Sequence, residues 1–179
     1  MYKFAPADRH ELNVFGASRP KYAYKSVRRW IEFMRQQGIE GTCCLLSSAR
    51  LNRYPDNLLE TYRQEFSEEH VLWQPIKDFQ IPKSEILTEA IFPFLIHAVE
   101  NQRKVVVHCS GGIGRTGIVL AGWLVNQRGL TNRQAICAVK QNKRYPQEAI
   151  IAALFKGQNP CLAKQELDYL LNRCRSVAQ

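Results

Sequence analysis

The sequence has no hydrophobic run long enough to cross a lipid bilayer. Its longest apolar stretches, at residues 90–99 and 118–125, fall well short of the roughly 20 residues that a membrane helix needs. The first eight residues also lack the apolar segment of a secretory signal, so no signal peptide is expected. We therefore expect a cytoplasmic protein with no stable membrane insertion.

The sequence also lacks cysteine pairs spaced as in a metal site, and it shows no disulfide framework of the kind found in small secreted proteins. The six cysteines are Cys43, Cys44, Cys109, Cys137, Cys161 and Cys174. Free thiols suit a reducing cytoplasm. We expect no metal and no cofactor.

No run of five or six like charges is present, although 25 Lys and Arg residues outweigh 16 Asp and Glu residues and give a net charge of +9. The positive charge is therefore spread over surfaces rather than collected in a tail that would bind nucleic acid. Such a field raises the local concentration of anionic substrates. The basic group at residues 21–29 is read as a solvated helix face.

The most informative segment present is residues 105–117, which read VVVHCSGGIGRTG. A β-branched run ends in a cysteine, and three glycines, an arginine, a threonine and a fourth glycine follow before an apolar helical run. This order predicts a strand, a tight loop and a helix, with backbone N–H groups collected at the helix N-terminus. The loop is therefore expected to bind an anion.

Each residue type in this loop has a chemical reason to be there. Cys109 lies at a helix N-terminus, which favours the nucleophilic thiolate. The glycines allow positive φ and close approach to a ligand. The planar guanidinium of Arg115 matches two oxygens of a phosphate, and the Thr116 hydroxyl is next to the sulfur. The expected phosphate-binding residues are Ser110, Gly111, Gly112, Ile113, Gly114 and Arg115.

The full string His-Cys-(five residues)-Arg-Thr-Gly resembles the signature of the cysteine-dependent protein tyrosine phosphatase superfamily, with every fixed position filled. The length of 179 residues and the motif at mid-chain favour the compact dual-specificity type. The resemblance implies that the imidazole of His108 orients the loop backbone. For the basic segment at residues 140–145 two interpretations stay open: it forms the basic rim of the pocket, or it is a solvated face. For Cys43 and Cys44, core packing is favoured over redox protection of the nucleophile.

A general acid is needed to protonate the leaving oxygen, and a carboxylate is the usual choice. Members of this family carry an aspartate on a loop some thirty residues before the cysteine. Asp78 precedes Cys109 by 31 positions and lies between Pro75 and Pro82 in a segment that reads as a loop. The resemblance therefore makes Asp78 the expected acid.

Alternating strand and helix patterns predict a single α/β domain over residues 1–179, with a mixed central sheet flanked by helices on both faces. Residues 12–15 are predicted as a short edge strand and residues 23–37 as an amphipathic helix. Thr131 and Gln134 predict a capping box. Pro93 is expected to kink or divide a helix over residues 84–101.

The expected function is hydrolysis of phosphomonoesters on phosphorylated proteins through a phosphocysteine intermediate, by a protein that is monomeric and does not bind nucleic acid. Cys109 would attack phosphorus, Asp78 would protonate the leaving oxygen and Thr116 would stabilise the departing thiolate. Asn142 and Gln147 are both candidates for placing the attacking water. Two alternatives stay open: a phosphoinositide or inositol phosphate phosphatase, and a non-catalytic module that binds phosphoproteins.

Overall fold

A five-stranded mixed sheet forms the centre of the molecule in the computed structural model, which describes residues 1–157 and 159–175. Its strands are β1 (Ala5–Pro6), β2 (Val14–Ser18), β3 (Ile39–Cys44), β4 (Val71–Trp73) and β5 (Lys104–Cys109). They lie in the order β1-β2-β5-β3-β4, and β1 alone runs antiparallel to its neighbour. The predicted mixed sheet is confirmed.

The central strand β5 is buried on both faces, as its run of three valines predicts. Val106 pairs with Phe15 of β2 on one side and with Thr42 of β3 on the other. Because β2, β3, β4 and β5 are parallel, their carboxyl ends meet at one edge of the sheet. Ligands of open α/β sheets bind beyond this edge, and β5 ends there at Cys109.

Helices cover both faces of the sheet, as predicted. One face carries α1 (Tyr24–Gln36) and α3 (Leu58–Phe66), whose apolar side chains pack around the fully buried Trp30 and Tyr62. The opposite face carries α4 (Phe92–Glu100), α5 (Gly114–Arg128), α6 (Asn132–Gln141) and α8 (Pro160–Arg175). Helix α2 (Ser48–Leu51) follows β3, and helix α7 (Glu148–Phe155) contacts α8.

Several helix boundaries follow from local chemistry. In α6, the Thr131 hydroxyl accepts from the Gln134 backbone N–H while the Gln134 side chain accepts from the Thr131 N–H, which confirms the capping box. Pro93 divides its segment into a π-helical turn over Ile86–Ile91 and the helix α4. Proline donates no backbone hydrogen bond, so a regular helix cannot run unchanged across it.

The prediction of an edge strand at residues 12–15 is wrong in its residue bounds and in its location within the sheet. The strand is β2, which begins at Val14 and lies inside the sheet, while Leu12 is 72% exposed. The edge is formed by β1, where Pro6 pairs opposite Phe15. Proline has no N–H to donate, so it is tolerated on an edge strand.

Candidate active site

The loop of residues 110–113 joins the end of β5 to the start of α5 and wraps around the sulfur of Cys109. The Cys109 side chain is buried, and the Gly112 backbone N–H donates to its Sγ over 3.3 Å. Helix α5 begins at Gly114, so its unpaired N–H groups and the positive end of its dipole face the same loop. This geometry favours the binding of an anion in the loop.

Gly112 is the residue on which the shape of the loop depends. Its φ is +67°, a conformation that side chains strongly disfavour. A Cβ at this position would lie 2.5 Å from the backbone carbonyl group of Ala17 at the end of β2. The loop can therefore pack against β2 only with glycine at position 112.

The Arg115 side chain turns back from α5 across the carboxyl edge of the sheet. Its Nη1 donates to the carbonyl oxygens of Ile76, at 2.8 Å, and Leu45, at 3.3 Å, while Nη2 donates to the Ser110 hydroxyl at 3.0 Å. The guanidinium is thus held by the segments that follow β3 and β4. A buried and fixed guanidinium is a preorganised partner for an oxyanion.

Asp78 is brought to the same place from the loop after β4. Its Oδ1 forms an ion pair with Arg115 Nη2, and its Oδ2 accepts from Arg50 at Nη2, 2.9 Å, and Nε, 3.2 Å. Arg50 lies on α2 and was not found by sequence reasoning, because no motif links residue 50 to the loop. The Asp78 carboxylate and an incoming phosphate would compete for the same Arg115 nitrogen.

Thr116 and His108 are both buried close to Cys109 in the sequence. The Thr116 side chain is fully buried in the first turn of α5, and its hydroxyl has no hydrogen-bond partner among the described residues. The His108 ring packs edge-to-face against Trp30 and Tyr62, with ring centroids 5.3 and 5.6 Å away. Burial lowers the pKa of His108 to about 3, so the imidazole is neutral in the folded protein.

Arg144 is the largest departure from expectation in this region. Lys140 and Lys143 are exposed, as a solvated face requires. Arg144 is fully buried, so both interpretations of residues 140–145 are wrong for this residue. Its guanidinium donates to the Gly112 carbonyl in the loop and to the Gly16 carbonyl in β2. These hydrogen bonds to the loop and to β2 hold the Arg144 side chain inside the protein.

The remaining candidate residues are the cysteines of β3 and the two polar residues that could place the attacking water. Cys43 and Cys44 are fully buried on β3, and burial raises the pKa of both thiols, that of Cys44 to about 12. Core packing, which the sequence favoured, is the observed environment. Asn142 donates its amide to the Pro6 carbonyl over 2.9 Å. The choice between Asn142 and Gln147 for placing a water stays a prediction.

Within residues 1–157 and 159–175, no group of three or more His, Cys, Asp or Glu side chains is arranged to ligate a metal ion. No helix in the described part of the chain has both the length and the apolar character needed to cross a bilayer.

Comparison with known proteins gives a consistent result. Residues 15–129 match the family model described as "Polymorphic toxin system, DSP-PTPase phosphatase". The crystal structure of Tk-PTP in the active form superposes with a TM-score of 0.69 and 26% sequence identity, covering 96% of this chain and 97% of that one. The likeness therefore extends over nearly the whole of both chains.

Curated sequences match over shorter stretches. An uncharacterised protein of Methanocaldococcus jannaschii is 50% identical over 52 residues, which are 29% of this chain and 35% of that protein. Cyclin-dependent kinase inhibitor 3 of Rattus norvegicus is 33% identical over 107 residues, which are 57% of this chain and 49% of that protein. The chain thus spans half or less of the length of these two relatives.

Proposed function

Because the chain belongs to the DSP-PTPase phosphatase family, we propose that it hydrolyses phosphomonoesters on phosphorylated proteins through a phosphocysteine intermediate. One observation carries the proposal: Asp78, which is far from the loop in sequence, meets Arg115 at the carboxyl edge of the sheet. A nucleophile, an oxyanion partner and a carboxylate acid are the groups that this chemistry requires.

In the first step, the loop N–H groups of residues 110–114 and the Arg115 guanidinium bind the phosphate. The Cys109 thiolate attacks phosphorus in line, an S–P bond forms and the P–O bond to the substrate breaks. Asp78 gives its proton to the departing oxygen, which leaves as an alcohol or phenol. The interactions that hold the phosphate are preorganised, so they cost little reorganisation as charge develops.

In the second step, a water molecule attacks phosphorus while Asp78, now ionised, takes its proton. The S–P bond breaks, inorganic phosphate is released and the sulfur leaves as a thiolate. The buried Thr116 hydroxyl, which has no hydrogen-bond partner among the described residues, is available to donate to that thiolate. His108, which precedes the cysteine on β5, is a neutral, buried ring.

The proposal extends to the setting of the enzyme. We propose a single phosphatase domain over residues 1–179 that acts in the cytoplasm as a monomer, without a cofactor and without binding nucleic acid. Support comes from the cysteines, all free, which suit a reducing compartment, and from a net charge of +9 with no basic run.

A substrate panel tests the proposal. Purified protein is incubated with a phosphotyrosine peptide, a phosphothreonine peptide, a phosphoinositide in vesicles, a nucleotide and an aryl phosphate, and released inorganic phosphate is measured. We expect turnover of the aryl phosphate and of at least one peptide, with a cysteine-bound phosphate trapped by acid quenching. Preferential release from the phosphoinositide would favour the lipid alternative, and no turnover of any substrate would favour the binding module.

A further inference from the structure

Arg144 is a buried cation with no carboxylate partner among the described residues. Its side chain is fully buried, and burial lowers its pKa to about 10, with the nearby Cys109 acting in the opposite direction. Burying a charge is costly unless hydrogen bonds or an opposite charge compensate. Here backbone carbonyls take the place of a carboxylate.

Four backbone carbonyl oxygens accept hydrogen bonds from the Arg144 guanidinium. Nη1 donates to Gly112 O in the loop, and Nη2 donates to Gly16 O at 2.6 Å, Lys3 O at 2.8 Å and Ala5 O at 3.4 Å. A Cβ on Gly16 would lie 2.7 Å from the guanidinium carbon, so glycine there makes room for Arg144. One side chain therefore joins the N-terminal segment, β2 and the loop.

The contact with Gly112 determines which way a loop peptide faces. In a trans peptide the C=O and N–H bonds point in opposite directions, and no cis peptide is present in the described chain. When Arg144 holds the Gly112 carbonyl outward, the N–H of Ile113 in the same peptide must point inward, toward the loop. Without that hold, glycine's conformational freedom would allow the peptide to turn and place a carbonyl there.

We propose that Arg144 is a positioning residue that holds the Gly112–Ile113 peptide with its N–H facing the bound phosphate and adds a buried positive charge behind it. The inference rests on the proposed function in one respect, namely that the loop binds phosphate. Arg144 contacts neither substrate nor sulfur in this role. It acts through the loop backbone.

The test compares Arg144→Met, which removes the charge and all four hydrogen bonds, with Arg144→Lys, which keeps the charge but cannot reach four carbonyls. Lys140→Met, an exposed change on the adjacent helix α6, is the matched control. Affinity for inorganic phosphate is measured by calorimetry, and kcat and KM are measured with an aryl phosphate. Each variant is studied at a temperature well below its own thermal unfolding midpoint.

We expect Arg144→Met to lower kcat by about 10²-fold, the effect of losing one preorganised oxyanion donor, and to weaken phosphate binding by at least about tenfold. Arg144→Lys should fall between this variant and the wild type, and Lys140→Met should match the wild type. A lower unfolding midpoint with unchanged phosphate affinity and kcat in both Arg144 variants would show a structural role only and would overturn the proposal. A wild-type protein that binds phosphate but hydrolyses nothing would contradict the proposed function, and the affinity comparison would still decide the role of Arg144.

Discussion

Replacing Asp78 by Asn separates its catalytic role from its ion pairs. The amide keeps the size of the side chain but can neither donate an acidic proton nor form ion pairs with Arg50 and Arg115. A good aryl leaving group departs without a proton, whereas an alkyl leaving group needs one. The loss of activity should therefore depend on the leaving group.

The general size of acid catalysis sets the expected loss of rate, and the ion pair with Arg115 sets the expected direction for phosphate binding. General acid catalysis contributes roughly 10²–10⁴-fold, so kcat for an alkyl phosphate should fall within that range, while kcat for a good aryl leaving group should fall less than about tenfold. Phosphate affinity should move in the opposite direction. In the wild type, the Asp78 carboxylate occupies Arg115 Nη2, and the substitution removes both a competitor and a like charge. Phosphate should bind to the variant at least as tightly as to the wild type.

Initial rates over a series of alkyl and aryl phosphates, with calorimetry of phosphate binding, measure both effects, and Asp56→Asn at an exposed position is the control. The alkaline limb of the rate profile should flatten in Asp78→Asn, because that limb reports loss of the acid's proton. Arg50→Gln should reduce the alkyl rates in the wild type and have little further effect in the Asp78→Asn background. Equal losses on all substrates, together with weaker phosphate binding, would refute the assignment.

Three further predictions concern residues of the loop and its support. Cys109→Ser should abolish turnover while phosphate binding persists, since the amides and Arg115 remain; substantial residual hydrolysis of an aryl phosphate would point to another nucleophile. Arg115→Lys should raise the activation free energy derived from kcat/KM by about 2–4 kcal/mol, because an ammonium lacks the bidentate geometry of a guanidinium. Wild-type kinetics in this variant would show that Arg115 does not act in the site. His108 has a folded pKa of about 3, below its unfolded value of 6.5. The unfolded state therefore binds more protons between these values, and stability should fall by up to about 1.4 kcal/mol per pH unit as pH drops below 6.5. Denaturant titrations of wild type and His108→Gln would measure this slope, and identical slopes would contradict it.

Much of the fold follows from local signals. The run of valines before Cys109 predicts the strand that leads into the loop. The apolar spacing of residues 27–34 predicts the inner face of α1, where Val27, Trp30, Ile31 and Met34 are buried. The capping box and the division at Pro93 follow from side-chain chemistry within a few residues. Such features need no knowledge of which strands become neighbours.

The site is predictable to the extent that its parts are contiguous. The loop from Cys109 to Thr116 occupies one short stretch, so its chemistry can be read directly. Arg50 and Arg144 act on partners 28 and 32 positions away, Asp78 and Gly112. Their roles depend on the order of strands in the sheet, above all on β2 lying beside β5, which the edge-strand prediction missed. An arginine in a polar sequence also gives no local sign that it will be buried.

The charges of the site couple Asp78 to the binding of phosphate. Three guanidiniums, those of Arg50, Arg115 and Arg144, adjoin the loop or Asp78, and Asp78 is the carboxylate that pairs with two of them. A bound phosphomonoester adds a charge of nearly −2. Because this charge and the Asp78 carboxylate repel each other and compete for the same Arg115 nitrogen, the ion pair between Asp78 and Arg115 should weaken when phosphate binds.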